Sequence, residues 1–132
     1  MIGLDTNVMI RYIMQDDPVQ AAQATALIET LNETQPGFIT LVSVVELVWV
    51  LGSCFSLQRA QLVVALEALL QTRELVVERA DVVWRAVRLF RDSNGDFADC
   101  LIGRLAAAAG CERTLTFDKG AVRHCGMELV GG

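Results

Sequence analysis

Short apolar runs alternate along the chain with longer stretches of helical period. Ile2-Gly3-Leu4 ends on Asp5 and predicts a short strand. From Asn7 to Met14 the residues Ile10, Ile13 and Met14 share a face, which predicts a helix with Asn7 as candidate N-cap. Asp16-Asp17-Pro18 stops that helix and starts the next, because the fixed φ of proline suits a first helical turn. Ala24, Leu27, Ile28 and Leu31 continue the second helix at 3.6-residue spacing. After a polar turn around Pro36-Gly37, Phe38-Ile39-Thr40 predicts a strand. Ser43 and Glu46 then have capping-box spacing for a helix that runs to Leu51 and stops at Gly52.

A further helix is predicted from about Ser56 to Leu70, and a strand across Glu74–Glu78. Val83, Ala86, Val87 and Phe90 mark a helix over Asp81–Arg91, and Phe97, Leu101, Leu105 and Ala108 mark another, closed by Gly110. Thr114–Phe117 predicts a strand ending on Asp118, and Met127–Val130 a last short one. Short apolar strands separated by helices point to an α/β fold with a mainly parallel sheet. No repeat or linker interrupts the pattern, so residues 1–132 are expected to form a single domain. By the size relation such a chain buries about two-thirds of its surface, enough for one core without staples.

Composition narrows the function classes. The chain is 53% hydrophobic and 20% charged, which excludes a disordered tail. Its net charge of −5 argues against a broad basic nucleic-acid platform, although a bound divalent metal can offset the sign locally. The four cysteines form no CxxC pair, no leader-like segment opens the chain, and no uninterrupted apolar run reaches membrane-spanning length. A reduced, cytoplasmic setting without a membrane is the expectation, with the cysteines as small hydrophobes.

The candidate chemistry is acidic. Asp5 and Asp118 each end an apolar strand, and in an open α/β sheet crevices form outside those strand ends. Glu46 is flanked by Val44, Val45, Leu47, Val48, Trp49 and Val50; burying a carboxylate there is expensive unless it is paired or bound to metal. Its alternative role is the capping box with Ser43. Asp96 reads as an N-cap, and Asp99, three residues on, shares the first helical turn. Oxygen-only ligands imply a hard divalent cation, Mg²⁺ or Mn²⁺, and such a cation relieves the mutual repulsion of the carboxylates. Phosphodiester hydrolysis suits such a site. There is no P-loop, no GxGxxG and no GxSxG; His124 is the only histidine, so a His-rich zinc site is excluded and a serine triad would have to use His124. Trp49 and Trp84, both in apolar helices, read as packing or interface residues rather than base-stacking platforms.

Asp5-Thr6-Asn7, Glu46 in an apolar helix, Asp96-Phe97-Ala98-Asp99-Cys100-Leu101-Ile102 and Leu115-Thr116-Phe117-Asp118, in this order, resemble the PIN-domain family, and within it the VapC-type toxins of type II toxin–antitoxin modules. The resemblance implies a Rossmann-like three-layer α/β/α sandwich with a mainly parallel sheet of four or five strands. It implies a Mg²⁺- or Mn²⁺-dependent ribonuclease that cleaves structured RNA (tRNA or rRNA) and so stops translation. Carried over residue by residue, the acidic quartet is Asp5, Glu46, Asp99 and Asp118, with Thr6, Asn7, Ser43 and Asp96 in support. Asp5 and Asp99 are the principal metal ligands implied, with Glu46, Asp96 and Asp118 as further candidates. A VapB-type antitoxin that blocks the cleft, a homodimer and a larger toxin–antitoxin assembly are the implied partners. Arg11, Lys119 and Arg123 are the candidate RNA contacts.

Three other readings stay open at this point. The same cleft could serve another metal-dependent nuclease, in RNA maturation or DNA cleavage, and an inactive partner-binding protein can keep the fold, though retention of all four acids argues against decay. A phosphorylated receiver-like domain has similar length, but wants an acidic pair after the first strand; here Thr6 and Asn7 follow Asp5.

Overall fold

A computed structural model describes residues 1–132 as seven helices and five strands in two compact units, Met1–Ala80 and Asp81–Gly132. The first unit runs β1 (Ile2–Gly3), α1 (Thr6–Met14), α2 (Pro18–Glu29), β2 (Gly37–Ile39), α3 (Leu41–Cys54), α4 (Arg59–Gln71) and β3 (Leu75–Val77). The second holds α5 (Ala80–Asp92, from its second residue onward), α6 (Phe97–Ala108), β4 (Leu115–Thr116), α7 (Lys119–Cys125) and β5 (Glu128–Leu129).

Every strand pairing is parallel, as the alternation of apolar runs and helices predicts. In the first unit β2 is central: Ile2 and Gly3 pair with Gly37 and Phe38, and Gly37, Phe38 and Ile39 pair with Leu75, Val76 and Val77. In the second unit Leu115 and Thr116 pair with Glu128 and Leu129. The five strands thus register as a three-stranded and a two-stranded ladder. Gly37 is packed closely: a Cβ there would meet the terminal methyls of Leu4, Leu31 and Leu75 at 2.7–3.0 Å.

The helices follow their caps and stripes. Asp17 caps α2, accepting the N–H groups of Val19 and Gln20 at 3.0 and 2.9 Å, with Pro18 in the first turn as expected. Val82, Val83, Ala86, Val87 and Phe90 form the buried stripe of α5, and Phe90 meets Phe97 of α6 edge to face at 5.6 Å. Several boundaries differ from the sequence reading. The first helix begins at Thr6, with Asp5 rather than Asn7 in the N-cap position. Thr40, not Ser43, caps α3, accepting the Ser43 N–H at 3.1 Å, and α3 passes Gly52 because Leu47 and Leu51 keep its buried face continuous. The capping box lies instead at the start of α4, where Gln61 accepts the Gln58 N–H at 2.9 Å. That helix begins at Arg59 because Ser56 takes a left-handed conformation at φ 57°. The short α7, which the apolar pattern does not mark, is set by Asp118 at its start and by Gly126 at φ 73° at its end.

Candidate active site

In the first unit, continuing the ladder past the strands aligns Asp5, Thr40 and Glu78 in one row at the C-terminal edge. The bond from Leu4 N–H to the Phe38 carbonyl and that from Glu78 N–H to the Ile39 carbonyl, both 2.9 Å, carry the register there. Asp5 is exposed and, although it occupies the N-cap position of α1, its side chain makes no capping bond. Its carboxylate therefore stands at the strand end without being used by its own helix. Thr6, next to it, is the one buried polar residue, and no buried side-chain oxygen or nitrogen in the protein lacks a hydrogen-bond partner.

Two side chains anchor α3 to this edge. Thr40 provides the cap, and Glu78 Oε1 accepts the Leu41 N–H at 2.9 Å from the adjacent strand. A carboxylate at a helix N-terminus is also favoured by the helix dipole. Sequence reasoning passed over Glu78, although it shares with Asp5 and Asp118 the signal of an acid directly after an apolar run. Glu46 lies five residues into α3, about 7.5 Å along the axis from Leu41. It is exposed, so the expected burial penalty does not arise, and with Thr40 as cap it forms no capping box with Ser43. The buried face of α3 is Val44, Leu47 and Leu51. Glu46 instead divides an exposed stripe whose other members are Val42 (77% exposed) and Trp49 (65%), so Trp49 is not a core residue.

Asn7 and Arg11 line a groove of about 280 Å³ between α1 and α2. The Arg11 guanidinium is held there by Asp16 at 3.2 Å and by Gln20 at 2.7 Å. This constrains Arg11 in a way its sequence position did not reveal.

The second unit gathers the other acids. Asp96 caps α6, its Oδ2 accepting the Asp99 N–H at 3.2 Å. Asp118 follows β4 and caps α7, its Oδ1 accepting from Gly120 N–H at 2.7 Å and Ala121 N–H at 3.4 Å. Asp99 is half-buried, and its carboxyl is pushed above the ordinary range, first by burial and then by the charges of Asp96 and Asp118. These three carboxylates are therefore electrostatic neighbours. Lys119 and Arg123 are exposed and one turn apart on α7, on one face. Phe117, between β4 and Asp118, is 83% exposed. His124 sits in the last turn of α7.

Residues 2–126 match the PIN domain family, a span that crosses both units. The chain belongs to the PIN domain family. With that family come the α/β fold and a nuclease superfamily whose members generally depend on divalent metal. No individually characterised protein matches the chain. Within each unit, no three histidine, cysteine, aspartate or glutamate side chains are grouped closely enough to hold a metal ion among them. The donor chemistry still fits a hard cation: all the candidate ligands are carboxylates, and a divalent ion would offset the charges of Asp96 and Asp118 that act, after burial, on Asp99. No helix is long and apolar enough to cross a membrane.

Proposed function

We propose that this PIN-domain chain is a Mg²⁺- or Mn²⁺-dependent endoribonuclease, acting in the cytoplasm as the toxin of a VapC-type toxin–antitoxin pair. Its two units work as one domain. The observation that carries the reading is the PIN-family match over residues 2–126, beside Asp96, Asp99 and Asp118, which stand close enough for their charges to act on Asp99, and Asp5, which ends β1 without capping its own helix. A bound cation would offset the mutual repulsion of these carboxylates.

In this reading Asp5 and Asp99 are the principal metal ligands, with Glu46, Asp96 and Asp118 completing the set. When bound, the divalent ion supplies positive charge for the scissile phosphate and lowers the pKa of water. The protein's own residues do the rest. The Thr40 and Glu78 caps hold α3 and with it Glu46. Asp96 and Asp118 each commit one oxygen to a backbone N–H cap and leave the other for the ion. Thr6, Asn7 and Ser43 support the acids that neighbour them. A carboxylate of the set orients the attacking water or takes its proton. Lys119 and Arg123 meet the RNA backbone at the rim, with a lesser share for Arg11.

The substrate class is structured RNA, tRNA or rRNA, whose cleavage stops translation. A VapB-type antitoxin neutralises the enzyme by placing a cationic side chain against the acids, which the same repulsion invites. The exposed stripe of α3 around Trp49 supports self-association as a homodimer, the unit of a larger toxin–antitoxin assembly. The test is cleavage of tRNA and rRNA by the purified protein in Mn²⁺ or Mg²⁺. Cleavage that EDTA abolishes is expected. A folded protein that cleaves neither RNA in either metal defeats the reading.

A further inference from the structure

Beneath the three acids of the second unit lies a tight steric joint. Gly95 is buried in the loop between α5 and α6, its N–H bonded to Ser93 Oγ at 3.1 Å. A Cβ on Gly95 would fall 2.7 Å from Cys125 Sγ, 3.2 Å from Cys100 Sγ and 3.3 Å from His124 Cβ. The two thiols are themselves in contact at 3.6 Å, and both are buried. The glycine is therefore demanded by the approach of two sulfurs and not by its backbone angle.

Each member of this joint is coupled to an acid. Gly95 directly precedes Asp96, and Cys100 directly follows Asp99. Cys125 ends α7, a seven-residue helix that Asp118 begins. A helix of that length is a rod of about 10 Å, so a shift of Cys125 is passed along α7 to Asp118. The Cys125 thiol is pushed above its ordinary pKa first by burial, against a lowering bond from Cys100, and then by Asp99, Asp96 and Asp118, so it lies within the field of all three.

We infer that Gly95, Cys100 and Cys125 are positioning residues, whose three-way contact sets the spacing of the Asp96, Asp99 and Asp118 carboxylates. The inference rests on the metal-dependent nuclease reading and deepens it. It explains why small, soft cysteines stand at these two places: sulfur lets α6 and α7 approach the Gly95 backbone as a larger or polar side chain does not. Adding a methyl at Gly95 requires the parts to separate by about 0.7 Å to recover an ordinary 3.4 Å contact. Displacements of that size at metal sites and their supporting residues typically lower affinity or activity 10- to 100-fold.

The experiment compares wild type, Gly95→Ala, Cys125→Ala and the double variant. Mn²⁺ binding is read from the signal of the free ion in electron paramagnetic resonance, folding from circular dichroism, and RNA cleavage as kcat and KM. Gly95→Ala is expected to weaken Mn²⁺ binding about 10-fold and lower kcat, with KM for RNA little changed. Cys125→Ala loosens the same joint and is expected to weaken Mn²⁺ binding about threefold, less than the typical loss of a supporting contact. The double variant, with the clash relieved, is expected to return to the Cys125→Ala level. The fall in kcat at unchanged KM, together with weakened Mn²⁺ binding, in variants with wild-type circular dichroism is a response a general loss of stability does not give. A folded Gly95→Ala protein that binds Mn²⁺ like wild type, or a double variant no better than Gly95→Ala, overturns the inference. If Gly95→Ala does not fold, wild-type Mn²⁺ affinity in Cys125→Ala overturns it. Wild type that neither binds Mn²⁺ nor cleaves RNA overturns the nuclease reading and this inference together, whereas an active wild type with unaffected variants overturns the joint alone.

Discussion

Asp96 acts on Asp99 twice. Its carboxylate accepts the Asp99 backbone N–H at 3.2 Å, and its charge, after burial, is the next force holding the Asp99 carboxyl above its ordinary pKa. The first action fixes the start of α6, and the second makes that start uncomfortable for an ionised Asp99. Stability and function therefore pull in opposite directions at this residue.

Asp99→Asn is accordingly expected to stabilise the metal-free protein at neutral pH while abolishing cleavage. The native pKa of Asp99 lies above its unfolded value of about 3.9, so the folded state binds this proton more tightly. The stability this proton contributes is complete below the unfolded value and is lost as pH rises through the native one. Urea unfolding in EDTA across that window should show wild type losing stability relative to Asp99→Asn as pH rises. Added Mn²⁺ should raise the unfolding midpoint of wild type and leave the variant unmoved, because a ligand stabilises only the state that binds it. An Asp99→Asn protein less stable than wild type at pH 7 contradicts the argument.

Asp96 separates capping from charge. Asp96→Asn keeps an oxygen for the Asp99 N–H, so the fold should hold and cleavage fall only mildly. Asp96→Ala loses the cap and should cost about 1 kcal/mol of stability. Equal unfolding midpoints for the two variants would show that the 3.2 Å bond contributes nothing to stability.

The contrast between Asp118 and Glu46 shows which parts of this protein were legible in its sequence. Asp118 was found as an acid at a strand end because a short apolar run ending on a carboxylate is a local signal. Its second role as the cap of α7 was not found, since seven residues containing Gly120 carry no helical period. Glu46 shows the limit of the same reasoning. Its apolar neighbours suggested burial, but a helix has several faces, and only Val44, Leu47 and Leu51 point inward. Pattern identifies which residues are apolar; packing decides which of them are covered, and for Val42 and Trp49 nothing in this chain covers them. Glu78 was missed because its role is a bond to Leu41, 37 positions away, which no local spacing encodes.

The exposed stripe yields a prediction about assembly. Trp49→Glu places a second carboxylate on the exposed face of α3 that carries Val42 and Glu46. Desolvating an unpaired carboxylate opposes any apolar association. Sedimentation should show wild type self-associating at high micromolar concentration and Trp49→Glu as a monomer of unchanged fold. Monomeric wild type under the same conditions removes the homodimer from the proposal.

The cations are expected to divide by their present engagements. Arg11 is bound to Asp16 and Gln20, so its release toward RNA forfeits those contacts. Lys119 and Arg123 are exposed on one face of α7. Removing either should weaken RNA binding and reduce the slope of log affinity against log salt by about 0.7, the value for one phosphate contact on a single strand. Arg11→Ala should leave that slope nearly unchanged. An Arg11→Ala slope change larger than that of Lys119→Ala or Arg123→Ala would reverse the assignment.

Asp5 carries the most direct test of the chemistry. Its side chain serves no cap and no buried contact, so Asp5→Asn should leave the fold and its unfolding midpoint as they are. The substitution nearly preserves shape but removes a full charge from the acidic set. Loss of one principal electrostatic group in a site of this kind typically lowers kcat by about 100-fold or more. Cleavage by Asp5→Asn should fall by that order, to a level similar to wild type in EDTA. Because water is the proposed nucleophile, the RNA 2′-OH takes no part in bond breaking. The products should therefore carry a 5′-phosphate and a 3′-OH, and a substrate with 2′-deoxy sugar at the cut position should still be cleaved. A 2′,3′-cyclic phosphate end, identified by mass spectrometry, would instead require attack by the 2′-OH and would overturn hydrolysis by water. Wild-type cleavage by a folded Asp5→Asn protein would remove Asp5 from the site, and with it the reading of its uncommitted carboxylate as a ligand.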